Sequence, residues 1–491
     1  MYNSSLKSAA AKGILWSAVD KFASQIGQFF VSIMLARVLL PEDFGLIGML
    51  AIFIALSQTF IESGLATGLI QKQNRTHLDY STTFIFNLGV SAFFYIILFL
   101  TAPYIAAFFN QPQLIDLTRV LGLSLFINAI AIVQRTQLII VMDFKSIAKS
   151  NVVGLVFGGL TGVFMALNGY GVWSLVCQVL VASVATSAIL WLYGSWIPSF
   201  VFSKKSFLNL FGFGSKLLVA SLYAQTLNNV YNICIGRFYP TAALGYYTRA
   251  KTFADVSAGT IVAILQQATF PVLSSVQSDK KRLVSIYSRM IKMASFIIIP
   301  LMTFIALLAR PIVVLLLTEK WIALVPLLQW MVFARIFLPM SAINMNVLNA
   351  IGRSDLFLKV DLYKFPLTAV ALVITIPLGV KAMIIGHVIT SALSFLINAY
   401  LPGKFFGYGA LKQLKDMLPI IGATVGMAII ITVIITYTDV LEVQLILSSF
   451  FGALTYLGIC HLLKLKELKE LKELLLKFKL KLLGFKKGSE I

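Results

Sequence analysis

Four cations sit inside stretches that are otherwise apolar: Lys21, Lys216, Arg249 and Arg335. A charge held at membrane depth is costly and by default marks a function. Other charges in these stretches have simpler explanations. Lys251 and Asp255 are four residues apart and can neutralise each other, and Asp361 with Lys364 allows the same pairing. Asp116 and Arg119 can pair near a helix start, while Arg135 and Lys292 can extend to an interface along their flexible stems. For the first four no such partner is evident, and cations outnumber acids in the runs. The chemistry they suit is anion binding, since guanidinium and ammonium groups donate charge-assisted hydrogen bonds to oxyanions. Among the acids, Glu62 follows Gln58 by four residues and has no obvious ionic partner within a turn. With Asp20 and Asp255 it is a candidate site for a coupling ion, H+ or Na+.

Neutral polar residues add a pattern. Lys21, Gln25, Gln28 and Ser32 are spaced as one face of a helix. Ser221, Gln225, Asn228 and Asn232 repeat that spacing 200 residues on. In hydrocarbon such a stripe must face protein or water. Gln25, Gln28, Ser32, Gln225, Asn228 and Asn232 therefore either glue helices together or line a wet cavity.

The elements that position these groups follow from composition. The chain has 491 residues, 59% hydrophobic and only 12% charged, with a mean hydropathy of +0.90. A soluble chain is about a quarter charged, so this one belongs to the membrane class. Fourteen apolar runs are readable, from 14–36 to 443–463; those at 14–36, 115–140, 208–236, 243–272 and 324–350 carry internal charges. The runs are too long and too continuously apolar for barrel strands. The net charge of +21 lies mostly in alternate connections and in the tail, which orients both termini to the cytoplasm and excludes a nucleic-acid domain. Cys177, Cys234 and Cys460 show no CxxC spacing and read as core residues. His77, His387 and His461 are far apart, so neither a disulfide framework nor a metal site is expected.

The two stripes belong to a wider echo. "LARVLLPEDFG" at 35–45 corresponds to "IGRFYPTAALG" at 235–245, and an ungapped shift of 200 also aligns Gln25 with Gln225, Arg37 with Arg237 and Gly45 with Gly245. A repeat of six spans starts its second copy from the same side of the membrane, giving two lobes related by an axis along the membrane normal. The expected organisation is an all-α polytopic membrane protein with 14 transmembrane helices. A six-helix lobe over 1–200 faces a second over 201–403, with a cavity between them; two added helices follow over 404–463, then a basic amphipathic cytoplasmic tail over 464–491. In that tail Leu465, Leu468, Leu471, Leu475, Phe478 and Leu482 form one stripe with lysines opposite, suited to an anionic inner leaflet.

The segments "GILWSAVDKFASQIGQFFVSIMLARVLLPEDFGLIGM", "FIESGLATGLIQK" and "RTQLIIVMDFKSIAKSNVVG", in that order, resemble the polysaccharide-transporter branch of the multidrug/oligosaccharidyl-lipid/polysaccharide flippase superfamily, of the colanic-acid-exporter or lipopolysaccharide-flippase type. The similarity is strong over about 5–270 and looser to 460. It implies a MATE-like fold in the bacterial cytoplasmic (inner) membrane and movement of lipid-linked, pyrophosphoryl-polyprenyl oligosaccharides from the cytoplasmic to the outer leaflet by alternating access. It further implies membrane lipids and polysaccharide polymerase or assembly proteins as partners, no nucleic acid, and no cofactor beyond a coupling ion. On this reading Lys21, Lys216, Arg249 and Arg335 hold a lipid pyrophosphate headgroup, whose crossing of bare hydrocarbon would cost on the order of tens of kcal/mol. An ATP pump is excluded by the lack of GxxxxGK[ST]. An enzyme such as a glycosyltransferase would need a large outer catalytic loop, which is absent, so no catalytic residue is assigned. The alternative is an ion-coupled multidrug or small-molecule exporter of the same superfamily, which would favour an acidic rather than a cationic interior.

Overall fold

In a bilayer, backbone N–H and C=O groups must be satisfied within the protein, and helices do this within one segment. All the regular elements among the described residues are helical. The computed structural model describes residues 2–63, 65–473 and 476. The side chains of residues 1–15, 18, 19, 63, 213, 216, 217, 260–268, 270, 271, 354, 355, 357, 358 and 361 lie outside the description.

The chain forms two compact units, residues 1–249 and 250–491. The first contains α1 (Tyr2–Val38), α2 (Pro41–Ser63), α3 (Leu65–Gln71), α4 (His77–Phe109), α5 (Leu114–Leu121), α6 (Leu123–Ile140), α7 (Phe144–Leu167), α8 (Trp173–Tyr193), α9 (Lys204–Phe238) and the first turns of α10 (Thr241–Ser275). The second continues α10 and adds α11 (Lys280–Leu307), α12 (Ala309–Leu317), α13 (Val325–Ile336), α14 (Leu338–Ala350), α15 (Ser354–Thr375), α16 (Val380–Phe406), α17 (Ala410–Tyr437) and α18 (Leu441–Leu462). Ten helical stretches among the described residues are long and apolar enough to cross a membrane.

Helices α1, α9 and α10 are long but fall outside that set, and α15 overlaps a shorter apolar stretch, Leu362–Leu378. Two of the charge-bearing runs, 115–140 and 324–350, are among these stretches, although neither is one continuous helix. The first breaks at Gly122, between α5 and α6. The second breaks at Phe337, just ahead of Pro339 in the first turn of α14, where proline lacks the N–H to continue the ladder.

Local sequence fixes the ends. Thr76 and Asp79 form a reciprocal capping box at the start of α4. Asp143, Ser203 and Asp279 cap α7, α9 and α11 by accepting from the backbone N–H three residues on. Asn110 closes α4 in the left-handed region, φ 54°.

The echoed turn has a physical cause within the first unit. A Cβ placed on Gly45 would lie 2.1 Å from the carbonyl oxygen of Thr241, and one on Gly245 would lie 1.8 Å from that of Pro41. Pro41 and Thr241 occupy corresponding positions under the shift of 200, as do the two glycines. The first turns of α2 and α10 thus press glycine onto backbone reciprocally, an approach only hydrogen side chains permit.

In the second unit a buried polar network joins α11, α14 and α17. Gln413 Nε2 donates to Tyr287 Oη at 2.8 Å, to Asn344 Oδ1 at 3.0 Å and to the Tyr408 carbonyl at 3.2 Å. Asn344 Nδ2 donates back to Gln413 Oε1 at 3.3 Å. Tyr408, in the α16–α17 connection, donates to Asp416 Oδ2 at 2.8 Å. Burial first, with the Asp416 carboxylate adding, pushes its phenol above the usual range and keeps it a donor. Lys292 pairs with the same carboxylate at 3.3 Å, which supplies the partner that a lysine reaching alone for the interface would lack.

Candidate functional site

The expected headgroup cations fall into three situations. Arg249 lies eight residues, roughly 12 Å, into α10. Its guanidinium stacks 4.5 Å from the centre of the Phe44 ring on α2 and donates from Nη1 to the Ser32 hydroxyl on α1. Among the described residues no carboxylate pairs with it, and its buried Nε has no hydrogen-bond partner. A guanidinium offers five donors and no acceptor, and this one leaves its Nε unused. Ser32, expected to line a cavity, is its only hydrogen-bonding side chain in this set.

Arg335 is in the opposite situation, and it corrects the expectation of a surplus cation. Its Nε donates to Asp255 Oδ1 at 2.6 Å, an ion pair between α13 and α10. Its Nη1 lies 3.0 Å from His387 Nε2 on α16. Sequence spacing pairs Asp255 with Lys251, which does feel the Asp255 charge; Arg335 adds an ion pair that the spacing does not show. Lys251 remains close enough to feel both charges. His387 was not singled out in the sequence, because 52 residues separate it from Arg335. No local pattern encodes that encounter; only the packing of α13 on α16 creates it.

Lys21 is exposed on α1 in the isolated chain. The side chain of Lys216 lies outside the described residues.

The acids differ as well. Glu62 is exposed and not without a partner: Gln58 Nε2 donates to its Oε1 at 2.6 Å, one turn earlier on α2. Asp20 accepts from Asn151 Nδ2 at 3.0 and 3.1 Å and from Ser24 Oγ at 3.4 Å, tying α1 to α7. Arg119 does not pair with Asp116; its guanidinium lies 4.4 Å over the Phe99 ring. Along the stripes, Gln25 is half-buried and Gln28 exposed; Gln225 is half-buried, Asn228 exposed and Asn232 buried. Asn232 Nδ2 donates to Asn229 at 3.5 Å while its Oδ1 stays unpaired.

One acid was overlooked because it begins a span. Asp79 is fully buried, accepts from Lys72 Nζ at 2.7 Å on both oxygens and from Ser206 Oγ at 2.6 Å. It also accepts the Thr76 backbone N–H at 2.8 Å. This clasp joins the start of α4 to the start of α9. Beside it, His77 and Ser81 engage the extended segment at Ile197 and Ser199 that leads into α9.

Ten apolar helical stretches and buried ionisable groups define a multi-pass membrane protein of the helical class. More narrowly, the chain belongs to the polysaccharide biosynthesis protein family, whose model matches residues 34–326. It is 27% identical over 417 residues to the teichuronic acid biosynthesis protein TuaB of Bacillus subtilis (strain 168), covering 82% of this chain and 84% of that one. The fold is similar to that of the lipid II flippase MurJ in an inward closed conformation, with a TM-score of 0.75 at 16% identity, over 92% of this chain and 98% of that one. It is also similar to an inward-facing multidrug resistance MATE family transporter, with a TM-score of 0.61 at 18% identity, over 79% and 97% of the two chains.

Proposed function

We propose that the chain is a flippase that carries lipid-linked, pyrophosphoryl-polyprenyl oligosaccharide units from the cytoplasmic to the outer leaflet of a bacterial inner membrane, by alternating access and without enzyme chemistry. Family membership and the likeness to a lipid II flippase support the class. The observation that carries the mechanism is Arg249: a guanidinium among helices, bonded to a hydroxyl and stacked on a ring, with a buried Nε unpartnered. A pyrophosphate oxygen would complete that set, and the buried setting strengthens the contact. Lys21, Lys216 and Arg335 are the other candidate headgroup residues, each to be tested on its own, with H+ or Na+ as the coupling ion.

In this reading the ten apolar stretches are joined by α1, α9, α10 and α15 to make fourteen spans. The chain is then organised as lobes at 1–200 and 201–403, helices at 404–463 and a cytoplasmic tail, with both termini inside. Lipid-linked oligosaccharide is the substrate, and polymerase or assembly proteins are its neighbours. Small-molecule export is the less favoured reading, because the unpartnered group is a cation, and cationic drugs need acids. Replacing Arg249 and Arg335 by alanine in cells tests the assignment. Surface glycan should fall at least tenfold while the protein remains in the membrane; unchanged export would remove both residues from the headgroup site.

A further inference from the structure

One cation of the first unit, expected to pair locally, has no ionic partner. Arg119 lies five residues into α5, and Asp116 stands exposed one turn before it. Among the described residues no carboxylate pairs with Arg119 and no acceptor takes any of its N–H groups. The partner it does have is apolar: the guanidinium lies 4.4 Å over the Phe99 ring of α4. Two other arginines of the unit spend donors on the protein. Arg75 donates to the Leu69 and Ile70 carbonyls at 2.7 Å each, and Arg237 donates to the Phe108 carbonyl. Arg119 keeps all five donors. Its Nε is buried while its two Nη nitrogens are not, so an acceptor reaches it through the Nη pair.

An aromatic shelf holds the ring under it. Tyr95, one turn before Phe99 on α4, meets that ring at 6.0 Å and meets Phe126 of α6 at 5.2 Å, edge to face. Gly122, where α5 gives way to α6, lets the chain lie close, since a Cβ there would sit 3.1 Å from the Tyr95 ring. Around the shelf the surface is apolar and open: Ile96, Phe99 and Leu100 are exposed on α4, and Leu123 on α6. Helix α4 has 33 residues, so it is roughly 50 Å long against a hydrocarbon layer of about 30 Å. Centred on that layer it projects roughly 10 Å at each end. Phe99 lies ten residues, about 15 Å, before the helix end. Its ring is therefore just inside the hydrocarbon boundary, and Arg119, rooted about 8 Å from the start of α5, spans the headgroup level. Tyr104, exposed between Phe99 and that end, stands where interfacial aromatics gather.

A guanidinium at that depth is costly while its donors are unmet. The acceptors at the same level are lipid phosphate oxygens, whose spacing suits the planar fork. We propose that Arg119, held flat on Phe99, binds the phosphate of a membrane lipid in the leaflet that meets the 110–113 connection. Two phosphate oxygens accept from Nη1 and Nη2, and the lipid chains lie along Ile96, Leu100 and Leu123. On the orientation proposed above this is the outer leaflet; the site itself does not depend on the headgroup reading of Arg249. An anionic phospholipid and a prenyl pyrophosphoryl sugar offer the same phosphate chemistry, and the test separates them.

Native mass spectrometry of the purified full chain in detergent counts the lipid copies it retains. The probes are phosphatidylglycerol, a phosphate-free diacylglycerol with the same chains, and a short-chain prenyl pyrophosphoryl monosaccharide. Arg119→Gln should lower retained phosphatidylglycerol by about one copy per chain and leave diacylglycerol unchanged. Phe99→Leu keeps the charge but removes the shelf, and should weaken the same copy in part; it decides the matter where Arg119→Gln fails to fold. Arg249→Ala should keep that copy, so loss of the Arg249 reading leaves this site standing. A loss confined to the pyrophosphoryl probe upholds the phosphate site and assigns it to the prenyl lipid. Equal retention of both phosphate probes by the unaltered chain and both shelf variants overturns the site. So does an equal loss of all three probes, which marks an arginine that supports structure alone.

Discussion

The reciprocal glycines make a prediction whose size can be worked from distances. Real Cβ atoms essentially never lie under 3.0 Å from another heavy atom. Gly245→Ala places a methyl 1.8 Å from the Pro41 carbonyl oxygen, so the first turns of α2 and α10 must move apart by about 1.2 Å. Gly45→Ala, 2.1 Å from the Thr241 oxygen, demands about 0.9 Å. Gaps of this size forfeit a quarter to a half of the local dispersion well, and overpacking of this kind costs roughly 1–3 kcal/mol. Both methyls push on the same pair of turns, so one displacement relieves both. The double variant should cost clearly less than the sum of the singles, a coupling expected only of contacting sites. Gly89→Ala is the control, since a Cβ there meets nothing within 4 Å. Thermal unfolding of the purified chain in detergent reads this out: both single variants lower the midpoint by a few degrees, the double by little more than the worse single, and Gly89→Ala does not lower it, since alanine favours a helix interior. Unchanged midpoints for both singles, or strict additivity, would refute the reciprocal contact.

Three further outcomes follow from the clasp, the buried network and the exposed acid. Asp79→Ala removes the acceptor of Lys72, Ser206 and the α4 cap together; because Lys72 is a third exposed, the ionic part is discounted, and a loss of about 2–4 kcal/mol is expected in the same unfolding assay. Gln413→Ala leaves Tyr287 and Asn344 with unmet partners inside the α11–α14–α17 contact, and should destabilise by about 1–3 kcal/mol. Glu62→Gln retains an acceptor for Gln58 and should leave the midpoint unchanged. If Glu62 carries the coupling ion, glycan export in that variant loses its dependence on the ion gradient; export that still tracks the gradient removes it from that role.

Much of the architecture was legible because a bilayer imposes few choices. Long apolar runs in a bilayer can only be helices. The turn echoed at Gly45 and Gly245 was readable as spacing, although its cause, glycine on a facing carbonyl, needs coordinates. Pairing was far less legible. Sequence spacing couples Lys251 to Asp255 and Asp116 to Arg119; packing adds Arg335 to the first acid and sets the second cation over Phe99 instead. Contacts one turn apart are written in the sequence; those between helices 52 or 80 residues apart are not. The same reason hid His387. Asp79 was missed differently: a residue at the start of a span looks solvated until a second helix start, at Ser206, closes over it.

Arg249 remains the residue on which the account turns, because its guanidinium sits among helices with its Nε buried and without a carboxylate partner among the described residues. The most direct measurement reconstitutes the unaltered chain and the Arg249→Ala variant in vesicles containing a fluorescent prenyl pyrophosphoryl sugar, and follows the loss of lipid accessible to a membrane-impermeant quencher. The unaltered chain should raise the transbilayer exchange rate far above that of protein-free vesicles, and Arg249→Ala should lower it at least tenfold with midpoint of unfolding intact. Exchange no faster than in protein-free vesicles, or equal rates for the two proteins, would contradict the account.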